Sequence, residues 1–216
     1  MTDGVLFVCH ANVCRSRLME RDFRTADLAA GGEPWHVASA GVAAVAGQPI
    51  CEEVRALTPD SAEQDSDDGA RLLDRDLLLD AGLVITATRA ERSEIALLDP
   101  AMRSRTFTLR EAVILAKVDP PLVPTNRAAG GVDLLAAFTD ALDQRRGSVR
   151  VETASGWSRW VGGRNRSDDA DIADAHNRRL RDHRRALQAV RESTLTLHTQ
   201  LREFAERWER HVARKP

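Results

Sequence analysis

The feature of this sequence that most constrains its fold is a short apolar run at residues 4–8, GVLFV, which leads directly into a cysteine. Five apolar residues in a row, without polar alternation, are typical of a strand buried on both faces, as in parallel sheets. The stretch that follows, residues 16–30, spaces its apolar side chains for one face of a helix. A buried strand that leads into a helix favours an α/β fold with a parallel sheet.

The alternation of strand and helix continues to residue 117. The further predicted strands are 35–38, 82–86 and 105–108, and the predicted helices are 50–57, 70–80, 89–98 and 109–117. The pattern then loosens over 118–169, with one more helix predicted at 132–143. Near the end, apolar residues from Leu180 to Trp208 recur at helical spacing and predict a helix of about 30 residues.

Composition excludes several classes of protein. Lys and Arg number 31 against 33 Asp and Glu, a formal charge of −2, so no overall charge attracts the chain to nucleic acid. The apolar runs are too short to cross a bilayer, and no basic segment followed by an apolar one opens the chain. Three cysteines without such a signal do not indicate a disulfide framework. We therefore expect a cytoplasmic protein with no nucleic acid partner and no membrane insertion.

The candidate chemistry lies in the loop between the first strand and the first helix. Cys9 follows the strand, and the helix begins near Ser16, so the thiol faces a helix N-terminus whose N–H groups can hold an anion. The same field favours a thiolate at neutral pH. Arg15 can close the loop and bind a tetrahedral oxyanion with two hydrogen bonds. A thiolate, an oxyanion site and a guanidinium together suit attack on a phosphate monoester through a cysteinyl-phosphate intermediate.

The segment 5–16, VLFVCHANVCRS, resembles the phosphate-binding loop of low-molecular-weight protein-tyrosine phosphatases, in the arsenate reductase-like phosphatase superfamily, whose pattern is VLFVCxGNICRSP. The likeness extends to the Ser-Ala-Gly sequence at 39–41, to the strand 83–88 and to the end of the chain. It implies one domain over 1–216, with a poorly matching stretch at 118–169 as an insertion. The implied fold is a three-layer α/β/α domain with a four-stranded parallel sheet and a long C-terminal helix.

The resemblance also assigns roles to residues. Cys9 is implied as the nucleophile and Arg15 as the phosphate-binding side chain. Ser16 is implied to stabilise the Cys9 thiolate, and Asn12 to hold the loop in a strained conformation with help from Ser39. The remaining residues of the implied phosphate-binding loop are His10, Ala11, Val13 and Cys14.

A general acid must protonate the leaving alcohol. In the family it is the Asp of an Asp-Pro-Tyr motif just before the last helix. Asp174 directly precedes the predicted terminal helix but lacks the Pro and Tyr, whereas Asp119 has the Asp-Pro dipeptide far from the chain's end. We favour Asp174 on position, followed by Asp171 and then Asp119.

Departures from the family pattern concern substrate recognition more than phosphoryl chemistry. The loop residues that differ are His10, Ala11 and Arg17. His176 stands where an aromatic wall would contact a phosphotyrosine ring, and Trp157 or Trp160 could supply such a wall from the predicted insertion. Cys14 matches the family's second loop cysteine, which can form a reversible disulfide with the nucleophile, while Cys51 is interpreted as structural.

No cofactor and no metal are expected, because no pair of histidines has ligand spacing along the chain. The resemblance implies a phosphotyrosine-bearing protein as partner, in bacterial members often a tyrosine kinase of polysaccharide export. The terminal helix is compatible with a monomer or a weak homodimer. Two other functions stay open: a thiol-dependent arsenate reductase, and a catalytically weak module that binds phosphate or phosphoproteins.

Overall fold

The fold is known from a computed structural model that describes residues 4–31, 34–58, 69–117, 134–147, 170–176 and 178–212. Its four strands are β1 (Gly4–Cys9), β2 (His36–Gly41), β3 (Ala81–Thr86) and β4 (Thr106–Thr108). They form one parallel sheet in the order β2-β1-β3-β4. Because the chain moves from β1 to β2 on one side and then to β3 on the other, a crevice forms at the carboxyl end of β1, where parallel α/β sheets bind ligands.

Helices cover both faces of the sheet. They are α1 (Arg15–Ala30), α2 (Glu52–Leu57), α3 (Arg75–Asp80), α4 (Arg89–Leu98), a 3-10 helix (Pro100–Arg105), α5 (Leu109–Lys117), α6 (Leu134–Arg145) and α7 (Leu180–Val212). One core cluster joins Val5 and Phe7 of β1 to α1, α5, α6 and α7. The other joins Leu6 and Val8 to α3, α4 and the 3-10 helix. The alternation of β1 side chains between two cores confirms the predicted three-layer α/β/α fold.

The C-terminal helix α7 is 33 residues long, close to the predicted length. Its apolar stripe is fully buried in the middle, at Leu187, Val190, Leu197, Leu201 and Phe204, whereas Leu180 at its start is exposed. Two salt bridges also link α7 to α1, from Arg191 to Asp22 and from Arg202 to Asp27. This helix therefore forms one wall of the domain, beside α1 and behind the first strand.

Several predicted boundaries differ from the structure, and three elements show this most clearly. The second strand continues past residue 38 to Gly41, because β1 pairs with it as far as Cys9. The predicted helix 70–80 begins only at Arg75, where the Asp74 side chain accepts a hydrogen bond from the Leu77 N–H and caps the helix. The predicted helix 132–143 corresponds to α6, which is shifted by two residues at each end.

Part of the predicted insertion 118–169 contributes to the core, because α6 buries Leu135, Phe138 and Leu142. Residues 118–133 and 148–169 lie outside the described part of the chain, and with them Asp119, Trp157 and Trp160. Within the described ranges, no helix combines the length and apolar character needed to cross a membrane.

Candidate active site

The loop between β1 and α1 lies in the crevice at the carboxyl end of β1. Cys9, only 2% exposed, ends the strand, and α1 begins at Arg15. Gly41 at the end of β2 lets the loop approach closely, since a Cβ there would lie 2.6 Å from the His10 carbonyl oxygen and 2.7 Å from the Asn12 nitrogen. The Ser-Ala-Gly sequence is therefore part of the loop's support, as the resemblance implied.

Two donors surround the Cys9 sulfur. The Ser16 hydroxyl oxygen lies 3.1 Å from Sγ, and the Asn12 backbone N–H donates to Sγ at 3.3 Å. Ser16 Oγ itself accepts from the Asn12 side-chain amide at 2.8 Å, which leaves the hydroxyl hydrogen free to point at the sulfur. An O–H and an N–H directed at one sulfur, at a helix N-terminus, suit a thiolate.

Asn12 holds the loop in a conformation that few residues adopt. Its φ is 55°, in the left-handed region, and it is the one described residue other than glycine with a positive φ. The side chain offsets the conformational free energy of this positive φ, because its amide donates to Ser16 and, at 2.9 Å, to Ser39. Its carbonyl oxygen accepts from the Arg71 N–H at 2.8 Å. These contacts join Asn12 to Ser39, the two residues for which the resemblance implies a supporting role.

Glu20 extends this network into the core and was missed by the sequence analysis. Its carboxylate, 5% exposed, accepts a 2.5 Å hydrogen bond from the Ser39 hydroxyl. Ser39 is thereby oriented to accept from Asn12. Arg17 and Arg24 pair with the same carboxylate at 3.1 and 2.7 Å. The signal in the sequence that could have identified Glu20 is its position as an acidic residue inside the apolar face of the first helix.

The Arg15 guanidinium is buried and points across the crevice. It donates to the Asp174 carboxylate at 2.6 Å and to the Ile172 carbonyl at 3.2 Å. Glu91, near the start of α4 and 4% exposed, lies 3.6 Å away and fixes the other side of the group. Glu91 was also missed, although an acid in the first turn after β3 lies at the same edge of the sheet as the loop.

Asp174 and Asp171 have different positions in the segment 170–176, here called the acid loop. The Asp171 carboxylate accepts from the Arg89 N–H at 2.8 Å and fastens the loop to α4. Asp174 is half exposed and faces Arg15. Burial alone would raise the pKa of Asp174, but the His176 N–H and the Arg15 guanidinium outweigh it, so this pKa lies below its usual value.

A second group of side chains includes Cys14 of this loop, and sequence spacing did not reveal it. The sulfur atoms of Cys14 and Cys51 and one ring nitrogen each of His176 and His183 all lie within 4.8 Å of one another. His176 Nδ1 is 3.0 Å from Cys14 Sγ, and His183 Nε2 is 3.2 Å from Cys51 Sγ. We call these four residues the thiol–imidazole cluster.

All three cysteines lie within the described residues and are free thiols. Hydrogen bonding to Cys51, together with burial, raises the pKa of Cys14. The same hydrogen bond lowers the pKa of Cys51 against the effect of burial, with help from His183.

The geometry agrees with comparisons to known proteins. The sequence profile of the family described as low molecular weight phosphotyrosine protein phosphatase matches residues 4–146. No curated protein matches the chain closely enough to count as a relative.

Solved structures share the fold at low sequence identity. A YwlE mutant from Bacillus subtilis is 18% identical with a TM-score of 0.56, over 92% of this chain and 98% of that one. Another YwlE structure is described as an arginine phosphatase. The Erwinia amylovora tyrosine phosphatase AmsI is 18% identical with a TM-score of 0.53, over 94% and 93% of the two chains. The tyrosine phosphatase Wzb from Escherichia coli K30 is 17% identical with a TM-score of 0.51, over 95% and 98%.

Proposed function

The chain belongs to the low molecular weight phosphotyrosine protein phosphatase family, and from this premise we propose that it hydrolyses phosphotyrosine in proteins with Cys9 as nucleophile. The observation that carries the proposal is the Cys9 thiol at the N-terminus of α1, with Ser16 and Asn12 directed at its sulfur. Arg15 and Asp174 lie on the opposite side of the same crevice. The arsenate reductase alternative is not favoured, because the matching family and the named structural neighbours are phosphatases.

Phosphate binding begins with an exchange of partners. In the structure the Arg15 guanidinium is held by a carboxylate, Asp174. A phosphoryl group on the loop would accept from the backbone N–H groups ahead of α1 and from Arg15, in place of that carboxylate. The phosphoryl group thus enters a site that is already shaped for an anion. Glu91 and the Ile172 carbonyl keep the guanidinium aligned during the exchange.

The chemical step transfers the phosphoryl group from oxygen to sulfur. The Cys9 thiolate attacks phosphorus in line, the S–P bond forms, and the P–O bond to the tyrosine breaks. Asp174 gives its proton to the leaving phenolate. The same carboxylate then takes a proton from water, which attacks phosphorus, releases inorganic phosphate and regenerates the Cys9 thiolate.

Substrate binding favours the protonated form of Asp174, which the acid role requires. In the free protein its pKa is lowered, so the group is ionised at neutral pH. A bound phosphoryl group draws Arg15 away and brings negative charge close to the carboxylate, and both changes raise this pKa. The acid therefore becomes competent only in the complex.

The partner we propose is a phosphotyrosine-bearing protein, such as a bacterial tyrosine kinase, in the reducing cytoplasm where a free thiol nucleophile persists. The chain contains no Tyr, and the ring that the acid loop itself supplies is that of His176. Substrate preference is therefore an explicit part of the test, with phosphoarginine as one arm because a structural neighbour is described as an arginine phosphatase.

The test is hydrolysis of an aryl phosphate without added metal, followed by peptides that carry phosphotyrosine, phosphoarginine or phosphoserine. We expect turnover of the aryl phosphate and the phosphotyrosine peptide, and a fall in kcat of about 10²–10⁴ for Asp174→Asn. Asp171→Asn, a matched change three residues away, should cost far less. A wild-type protein that binds vanadate without any turnover would instead support the phosphate-binding module, and preference for phosphoarginine would reassign the substrate.

A further inference from the structure

The thiol–imidazole cluster is built from three distant parts of the chain. Cys14 is the residue before α1, Cys51 is the residue before α2, and His176 and His183 lie in the acid loop and the first turn of α7. Two sulfur and two nitrogen ligand atoms from these parts converge within 4.8 Å. We propose that Cys14, Cys51, His176 and His183 bind a Zn²⁺ ion as a closed, tetrahedral structural site.

The spacing of the four atoms fits this ion. Zn–S bonds of about 2.3 Å and Zn–N bonds of about 2.0–2.1 Å imply tetrahedral ligand–ligand separations of about 3.3–3.8 Å. The sulfur–nitrogen distances of 3.0 Å at Cys14 and His176 and 3.2 Å at Cys51 and His183 need to open by only a few tenths of an ångström. His176 is exposed and sits in a loop, so its ring can make that adjustment.

The donor set selects the class of metal. Two thiolates and two imidazoles favour Zn²⁺ over the hard ions Mg²⁺ and Ca²⁺, which prefer oxygen. Four protein ligands leave no open coordination position, so the ion would organise structure and would not activate water. It thus takes no part in the phosphoryl transfer, which Cys9 performs on the other side of the loop.

The structure also provides a route to the cluster. Cys51, His176 and His183 line a cavity of about 430 Å³ beside the loop, together with Val13 and Glu53. An ion can therefore reach Cys51 and both imidazole rings from this cavity, beside the buried Cys14, and the exposed ring of His176 can close over it. Glu53 adds a carboxylate to the wall of that cavity.

An ion at this position would join the two halves of the proposed active site. Cys14 immediately precedes the phosphate-binding Arg15, and His176 follows the proposed acid Asp174 by two residues. A shared ligand sphere would fix the distance between them, with α7 as the rigid support. A coordinated Cys14 would also be withdrawn from the disulfide with Cys9 that the family resemblance implies.

The test is metal binding by the full chain, with activity as a secondary readout. The protein is purified under reducing conditions without chelator and analysed for zinc, and the stripped protein is titrated with Co²⁺. We expect one zinc per chain, and a Co²⁺ spectrum with thiolate charge-transfer bands and the intense visible bands of tetrahedral cobalt. Saturating Zn²⁺ should raise the Tm of the stripped protein by about 5–10 °C at a hundredfold excess over Kd.

Two ligand variants and two controls make the test specific. His176→Gln removes an exposed ligand and spares the core, and Cys51→Ser removes a buried one; each should weaken Co²⁺ binding at least about tenfold and dim or abolish its spectrum. His36→Gln changes an exposed histidine on β2, outside the cluster, and Cys9→Ser removes the nucleophile. Both controls should bind Co²⁺ as the wild type does.

Three outcomes would overturn the proposal: a reduced wild-type protein that takes up neither ion, a Cys14–Cys51 disulfide in place of a metal site, or a Co²⁺ spectrum unchanged in both ligand variants. None of these bears on the phosphatase proposal, because aryl phosphate turnover and its loss in Cys9→Ser are measured separately.

Discussion

The loop between β1 and α1 holds two cysteines, Cys9 and Cys14, which lie five residues apart in sequence and in contrasting surroundings. The Cys9 sulfur has hydrogen-bond partners close to it in sequence, Asn12 and Ser16. Cys14 instead meets the His176 ring, which is 162 residues away along the chain. Contacts within the loop thus set the surroundings of the first thiol, whereas tertiary packing sets those of the second.

The sharpest way to separate the two thiols is to remove each in turn. We expect Cys9→Ser to lower kcat at least about 10⁴-fold, because no other group in the loop can form the covalent intermediate. Cys14→Ser should retain measurable turnover, since the Cys14 sulfur contacts the His176 ring and is not the proposed nucleophile. Aryl phosphate hydrolysis checks both variants. Equal losses would contradict the division of roles.

The pH dependence of turnover tests the role of Asp174, which meets Arg15 only through tertiary packing. The productive complex needs one proton on either the substrate or Asp174, and the free protein keeps that carboxylate ionised. The proton must therefore arrive with the substrate, so kcat/KM should fall as the pH rises above about 6, where a phosphate monoester loses its second proton. In Asp174→Asn this alkaline fall should flatten. An unchanged profile in the variant would remove Asp174 from the acid role.

The local geometry of the loop around Cys9 can be disturbed by a substitution in β2. A Cβ at Gly41 would come within 3 Å of the backbone of His10 and Asn12. Because neither backbone segment can yield without moving the loop, we expect Gly41→Ala to lower kcat/KM about 10²-fold. Far-ultraviolet circular dichroism should show an intact fold. Gly47→Ala, in a loop where a Cβ would meet nothing within 4 Å but φ is 76°, controls for a purely conformational penalty.

The smallest of these effects should come from Ser39. Ser39→Ala leaves the Asn12 amide and the Glu20 carboxylate without their shared hydroxyl in a buried site. We expect about 1–3 kcal/mol less free energy of unfolding in urea, and a kcat reduced by about tenfold or less. Ser93→Ala, at an exposed hydroxyl on α4, is the matched control and should change neither quantity. Equal stability of the two variants would show that the network does not hold the loop.

Sequence reasoning reached the fold and the local network because both are encoded in short stretches. The buried strand, the turn and the helix start occupy residues 4–30, and the donors to Cys9 lie within seven positions of it. The proposal that Arg15 binds phosphate could be made from the same short stretch. Local spacing is enough wherever backbone geometry decides which atoms meet.

The rest depended on tertiary packing, which spacing does not reveal. Glu20 and Glu91 were missed because helical acids usually face solvent, and here they are buried beside guanidinium groups. The thiol–imidazole cluster was missed because its two thiol–imidazole contacts join residues 132 and 162 positions apart, which meet only when α7 packs beside α1. Asp174 could be chosen by position, but its bond to Arg15 could not be foreseen.

That bond between Arg15 and Asp174 has a consequence for inhibition by product. Since the guanidinium already has an internal carboxylate partner, every incoming oxyanion must compete with it, and inorganic phosphate competes without the added contacts of a tyrosine ring and peptide. The carboxylate acts as an intramolecular competitor that lowers the affinity for both, and only the substrate has further contacts to offset that penalty. In the proposed cycle, Asp174 thus helps to empty the site after each turnover as well as to supply the proton.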